Sequence, residues 1–192
     1  MRKVSGAVEW HRGLLLAAAA LVLVQPSLAA ADARSQAKRL HDRLAGVPAP
    51  PAVLEDMAAD IAAGRAIDAA YTAMEHRAFY DVTLKNFAMP WTNRDQTMFA
   101  PLNDYVATVI GMVRDDVPFN GLLSDDILYV GSGVGGVPAY SPSSNAHYEA
   151  LEASGSSLKS ALVRTTQSGA SGLPAEATAG VMTTRAAAQA FF

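Results

Sequence analysis

The sequence predicts a mainly α-helical fold, an irregular helical bundle with long Gly/Ser/Pro-rich loops and little or no β-sheet. Two observations carry that prediction. Apolar side chains recur at spacings of three and four residues from Arg34 to about Arg114, the period that lines one face of a helix. Proline and glycine fall between those segments, at Gly46, Pro48, Pro51, Gly64, Pro90 and Pro101, where they open or close helices.

The elements are taken in chain order. Arg2, Lys3 and Arg12 flank an uninterrupted apolar run from Gly13 to Val24. Its twelve residues match a signal-peptide core and are too short to span a bilayer as a helix. Gln25 to Ala33 then supplies a helix breaker and several small-x-small cleavage options. Residues 1–31 therefore read as a signal peptide cleaved near Ala29 to Ala33, and the mature protein as periplasmic or secreted. Arg34 to Leu44 is helical in composition, with Ala37, Leu40 and Leu44 on one side and Gly46 beyond the end. Val47-Pro48-Ala49-Pro50-Pro51 is a stiff break. Pro51 can open a second helix with the stripe Val53, Leu54, Met57 and Ile61, ending at Gly64. Ile67, Ala70, Tyr71 and Met74 continue the stripe through a third.

The stretch from Ala78 to Gly131 holds nearly all the large side chains beyond the signal. Tyr80, Leu84, Phe87 and Trp91 are spaced by four, three and four, which predicts one buried helical face. That helix ends near Ala88, ahead of Pro90. Thr92 or Asn93 can cap a new start, and Pro101 suits the first turn of the next helix. There Leu102, Tyr105, Val106, Val109 and Val113 form the apolar stripe, with Asn103, Asp104, Thr108 and Arg114 toward the other side. Ile127 to Val130 fits either a brief strand or a helical end.

Composition changes at Gly131, where Gly-Ser-Gly-Val-Gly-Gly-Val-Pro opens an exposed loop. Beyond it lie helices from Ala146 to Ala153 and from Ser157 to Val163, then a small, polar segment from Thr165 to Pro174. Thr183 can cap a last helix from Thr184 to Phe192. Its Phe191-Phe192 end carries no cap, so either the rings dock on the core or the natural chain continues. The sequence thus divides into the signal, a helical core domain at 34–130 and a truncated, loop-rich segment at 131–192.

Composition bounds the chemistry. There is no cysteine, which excludes a disulfide, a thiol nucleophile and covalent c-type haem attachment. Removing residues 1–31, with three basic residues and one acidic, takes +2 from the net charge of −3 and leaves about −5, which argues against nucleic acid as a partner. No stretch after Val24 is long enough for a stable membrane span once the signal is cleaved.

Each candidate motif has a plainer explanation. Gly131, Gly133 and Gly136 satisfy the G-x-G-x-x-G string, but Pro138 and Pro142 come where a nucleotide-binding helix would have to open. Ser156 and Lys159 have the Ser-x-x-Lys spacing of penicillin-recognising acylases without the Lys-Thr-Gly or Ser-Asp-Asn partners, so helix capping is the better account. Asp115, Asp116, Asp125 and Asp126 bracket a loop, yet a calcium loop counted from Asp116 has Pro118 at position three and Ile127 at position twelve. His41, His76 and His147 are widely separated and read as lone surface histidines, short of a zinc ligand set. No catalytic, cofactor-binding or metal-ligating residue is assigned on sequence, and no cofactor in this chain.

Val47-Pro48 with the helix to Gly64, Phe79-Tyr80, Trp91-Thr92-Asn93 and Val113 to Asn120 before Leu122-Leu123 resemble the N-terminal helical part of large exported bacterial proteins of unknown function, the planctomycete-type cytochrome-associated families. Leu173-Pro174 and Ala179 to Arg185 extend the likeness, which covers about Leu40 to Phe192. In those families a haem-binding Cys-x-x-Cys-His lies further along, and this chain has none, so no haem role passes to any residue here. The resemblance implies a non-catalytic helical module that accompanies a downstream or separate c-type haem domain in a larger periplasmic protein. Two alternatives come from other classes. One is a small secreted serine hydrolase using Ser132 or Ser156 with His147. The other is a periplasmic protein-binding domain whose apolar last helix packs on a partner.

Overall fold

A computed structural model describes residues 32–191, which form two units. The signal-peptide reading of residues 1–31 and the placement of Phe192 lie outside the described residues.

The first unit comprises residues 32–43 and 47–73. Helix α1 (residues 32–44) buries Ala33, Ala37 and His41 at four-residue intervals, one turn apart each time. The His41 Nδ1 lies 2.8 Å from the Val47 carbonyl. Helix α2 (Pro51–Ala62) opens on its proline and is succeeded by Gly64 at φ 78°, as the sequence predicts. It buries Leu54, Met57 and Ala58. In α3 (Ala66–Met74) the buried residues are Ala69 and Ala73. Ile67 and Tyr71 point outward, which reverses the predicted stripe: two methyl side chains let this helix pack closely, and the large residues take the open side. Exposed pairs such as Arg34 with Glu55 decorate the unit and add little stability.

The second unit, residues 44–46 and 74–191, is organised around one helix. Helix α5 (Asp104–Arg114) is buried without a break from Asp104 to Met112. The predicted stripe of Leu102, Tyr105, Val106 and Val109 is inside, but so is the polar side, which corrects the amphipathic reading. Polar groups survive burial only when bonded, and each of these is. The Asn103 Oδ1 accepts the Val106 amide at 3.1 Å as the helix cap, and Thr108 Oγ1 donates to the Asp104 carbonyl at 2.8 Å. The helix begins at Asp104, three residues after Pro101.

Around α5 lie a π-helical turn (Phe79–Leu84), α4 (Lys85–Ala88) and a 3₁₀ turn (Met89–Thr92), which run on as one rod. After a second 3₁₀ turn (Phe119–Leu123) comes β1 (Leu128–Gly131), so the Ile127–Val130 segment resolves as a strand. The chain goes on through α6 (Ala146–Ala153), α7 (Leu158–Ala161), β2 (Leu162–Thr165), α8 (Gln167–Ser171), a third 3₁₀ turn (Ala175–Ala177) and α9 (Arg185–Phe191). The strands pair antiparallel, Leu128 opposite Thr165 and Gly131 opposite Leu162. Helix supplies most of the described residues, and this ribbon is the one sheet among them. The helix predicted at Ser157–Val163 is shorter, because Leu162 turns extended to pair with Gly131.

The sheet joins the two sides of Gly131, and Tyr148, Leu151, Leu158, Leu162 and Val181 share one core with α5.

Candidate functional site

The sequence motifs resolve into structural roles. Gly133 and Gly136 take φ of 69° and 81°, which favours glycine, and no helix opens after them until α6. Ser156 lies outside α7, and its amide donates to Ser154 Oγ. The Lys159 ammonium is held by Glu75, at 2.5 Å from its carboxylate and 2.9 Å from its carbonyl.

The acidic residues point to separate partners. Asp115 forms a forked pair with Arg114 at 2.7 and 2.9 Å and accepts the Tyr129 hydroxyl at 2.8 Å. Its carboxyl is held below the usual range by the hydrogen bond from Arg114, against a smaller effect of burial. Asp126 accepts the amide of Ser168 at 2.9 Å and its hydroxyl. Among the described residues no three histidine or acidic side chains gather as a metal site would require.

The histidine reading needs correction, since His41 and His147 are buried. The His147 Nδ1 donates to the Pro138 carbonyl at 2.6 Å and its Nε2 accepts the Gly131 amide at 2.9 Å. Two bonds fix the tautomer. They also occupy the nitrogen that would take a proton from Ser132 or Ser156 if His147 acted as a base.

What the fold does build is a cleft of about 540 Å³ between the segment Pro90–Gln96 and α9, bordered by Trp91, Arg94, Gln96, Tyr105, Ala190 and Phe191 among others. Both walls are fastened to the first turn of α5. On one side Asn103 Nδ2 donates to Thr92 Oγ1 at 2.9 Å, and Thr92 Oγ1 donates to the Met89 carbonyl at 2.9 Å. Asn93 pins the adjoining loop by donating to the carbonyls of Met89 and Thr97 and accepting the Thr97 amide. Within that loop Gln96 sits at φ 51°, a left-handed conformation that costs a non-glycine residue energy and recurs at functional sites. On the other side the Asp104 carboxylate accepts the amides of Arg185 at 2.8 Å and Ala186 at 3.1 Å, the orphan donors that open α9. Burial raises the Asp104 carboxyl above its ordinary range, and the amide bonds pull against that rise.

The rings at this site come from a register change. Four residues at spacings of four, three and four share a face only on a helix of constant pitch. The π-helical turn from Phe79 to Leu84 widens the pitch and rotates the residues beyond it. Tyr80 stays inside, whereas Phe87 is 59% and Trp91 44% exposed, and Ala88, Met89 and Thr92 take the buried positions. The displaced rings stack edge to face, 4.9 Å between centroids. Phe191 faces the same cleft and is half exposed. Sequence reasoning missed Arg94 and Gln96 altogether and took Trp91 for core; Tyr105 is core as predicted and also borders the cleft. The paired aromatics in a chain otherwise rich in alanine were the available signal.

No protein-family model, curated protein or solved structure matches this chain.

Proposed function

We propose that this chain is an exported, non-catalytic helical module that docks on a partner protein through the Phe87–Trp91 ring face, and that the partner is a c-type haem protein of the same compartment. The observation that carries the reading is that face. Monomeric proteins seldom leave adjoining aromatic rings in water, and rings so placed are characteristic of interaction surfaces. The engagement of His147 and Lys159 in backbone and ion-pair contacts supports a binding role over hydrolysis. Export rests on the Gly13–Val24 run, and the haem partner on the sequence resemblance. Among the described residues no helix is long and apolar enough to cross a membrane.

Photo-crosslinking tests the reading. A benzophenone amino acid replacing Phe87 in the full chain, produced in its own host, is expected to give a discrete adduct in the envelope fraction that stains for haem. The same group at Tyr71, in the first unit, is the control. An adduct without haem would remove the partner assignment, and equal labelling from both positions would remove the docking face.

A further inference from the structure

The border of the cleft carries polar groups that the ring face does not explain. Arg94 borders it and makes no ion pair or hydrogen bond among the described residues. Tyr105 borders it too, with only 6% of its surface exposed, and its hydroxyl has no hydrogen-bond partner among those residues. The hydroxyl is not sealed in the interior, so a ligand in the cleft can reach it. Among the described residues no acidic side chain lines the cleft, and Arg94 is the one charged side chain that does, with Tyr105, Trp91 and Phe191 on the same lining.

We propose that this cleft binds a small organic carboxylate, its aromatic or aliphatic body lying against Trp91 and Phe191 and its carboxylate meeting Arg94 and the Tyr105 hydroxyl. The chemistry on each side matches. A guanidinium presents a planar fork of donors suited to two carboxylate oxygens, and the phenol supplies a further donor to the same group. Rings at the mouth give the apolar remainder a surface to cover. The volume lies within the range of small-molecule sites, roughly 300 to 1,000 Å³. Asn93 pins the backbone of the loop that carries Arg94, so the point from which the guanidinium extends is set before a ligand arrives. The inference goes beyond the docking face: it rests on Arg94 and Tyr105 and not on Phe87, so either can fail without the other.

The sequence offers a direct reporter. Trp10 and Trp91 are the two tryptophans, and full-length chain carrying Trp10→Phe emits from Trp91 alone. Titration with 3-phenylpropionate is expected to change that emission along a saturable curve. Arg94→Met should weaken the affinity about tenfold and Tyr105→Phe about threefold, the losses typical of one charged and one neutral hydrogen bond. The alcohol 3-phenylpropanol, which keeps the body and lacks the charge, should bind about as weakly to the unsubstituted chain as the acid does to Arg94→Met. Arg94 is exposed, so its variant should keep the circular dichroism of the parent, and a dichroism change would be answered by Arg94→Lys, which keeps charge but loses the fork and should still weaken binding. Absence of a saturable response overturns the inference. So does equal affinity for acid and alcohol, or affinity unmoved by Arg94→Met. Tighter binding of phenyl phosphate than of the carboxylate would overturn the ligand class.

Discussion

Replacing Gly111 by alanine sets two magnitudes against each other. Gly111 sits inside α5, where glycine costs about 1 kcal/mol relative to alanine, so propensity alone predicts a more stable protein. The neighbourhood predicts the opposite. A Cβ at 111 would lie 2.1 Å from Cδ1 of Tyr129 and 2.3 Å from its Cγ, whereas carbon atoms rest at roughly 3.5 to 4.0 Å. The ring would have to retreat by more than an ångström, and it is held. It is fully buried, its hydroxyl donates to Asp115 at 2.8 Å, and its carbonyl accepts the Tyr148 hydroxyl at 2.8 Å. Overpacking of this kind costs typically 1 to 3 kcal/mol, here at the upper end, so the expected net is a loss of about 2 kcal/mol. Urea unfolding monitored by Trp91 emission should show a midpoint lowered by about 1 M, given slopes near 2 kcal/mol per molar. A double-substitution cycle isolates the cause. With Tyr129→Ala already present the ring is gone, and Gly111→Ala should then stabilise by up to about 1 kcal/mol. A raised midpoint for Gly111→Ala alone, or the same loss with and without the ring, would refute the packing argument.

The same core yields two further outcomes. His147→Ala removes a donor to Pro138 and strands the Gly131 amide inside, and urea titration should record a loss of about 3 kcal/mol from the lost bonds and the cavity; a loss below about 1 kcal/mol would show that the clip contributes little. Burial, ahead of the hydrogen bond to Asp115, pushes the Tyr129 phenol up to about 12. A folded-state value above the unfolded one, ordinarily about 10, means that this contribution is complete below pH 10 and is lost as pH rises through about 12. Alkaline unfolding should therefore steepen in that window, and Tyr129→Phe should flatten it, measured as urea midpoint against pH.

The fold class was legible because helix punctuation is local. Pro51 opening α2, Gly64 closing it and the span of α6 needed only neighbours along the chain. The Leu102, Tyr105, Val106 and Val109 stripe was equally readable. The features that escaped were set by partners distant in sequence. Asp104 reads as a solvated acid until Arg185 and Ala186, some eighty positions later, bring their amides to it. His147 reads as a surface residue until Gly131 and Pro138 close on its two nitrogens. Gly131 reads as a loop glycine until Leu162 turns extended opposite it. The cleft escaped for a different reason, since periodicity assumes one pitch and the π-helical turn changes it between Tyr80 and Phe87. A widened turn leaves no mark in residue identity that a single sequence displays.

The fastening of both cleft walls to Asn103 and Asp104 has a thermodynamic consequence. Spreading the walls means breaking the contacts at one of two adjacent residues, and both belong to the start of α5. Breathing of the cleft is therefore coupled to fraying of that helix end. Whatever fills the gap and holds the walls together would slow solvent exchange at the amides of Val106, Arg185 and Ala186, none of which it needs to touch. The rigid centre of the domain thus serves as a gauge of what happens at its rim.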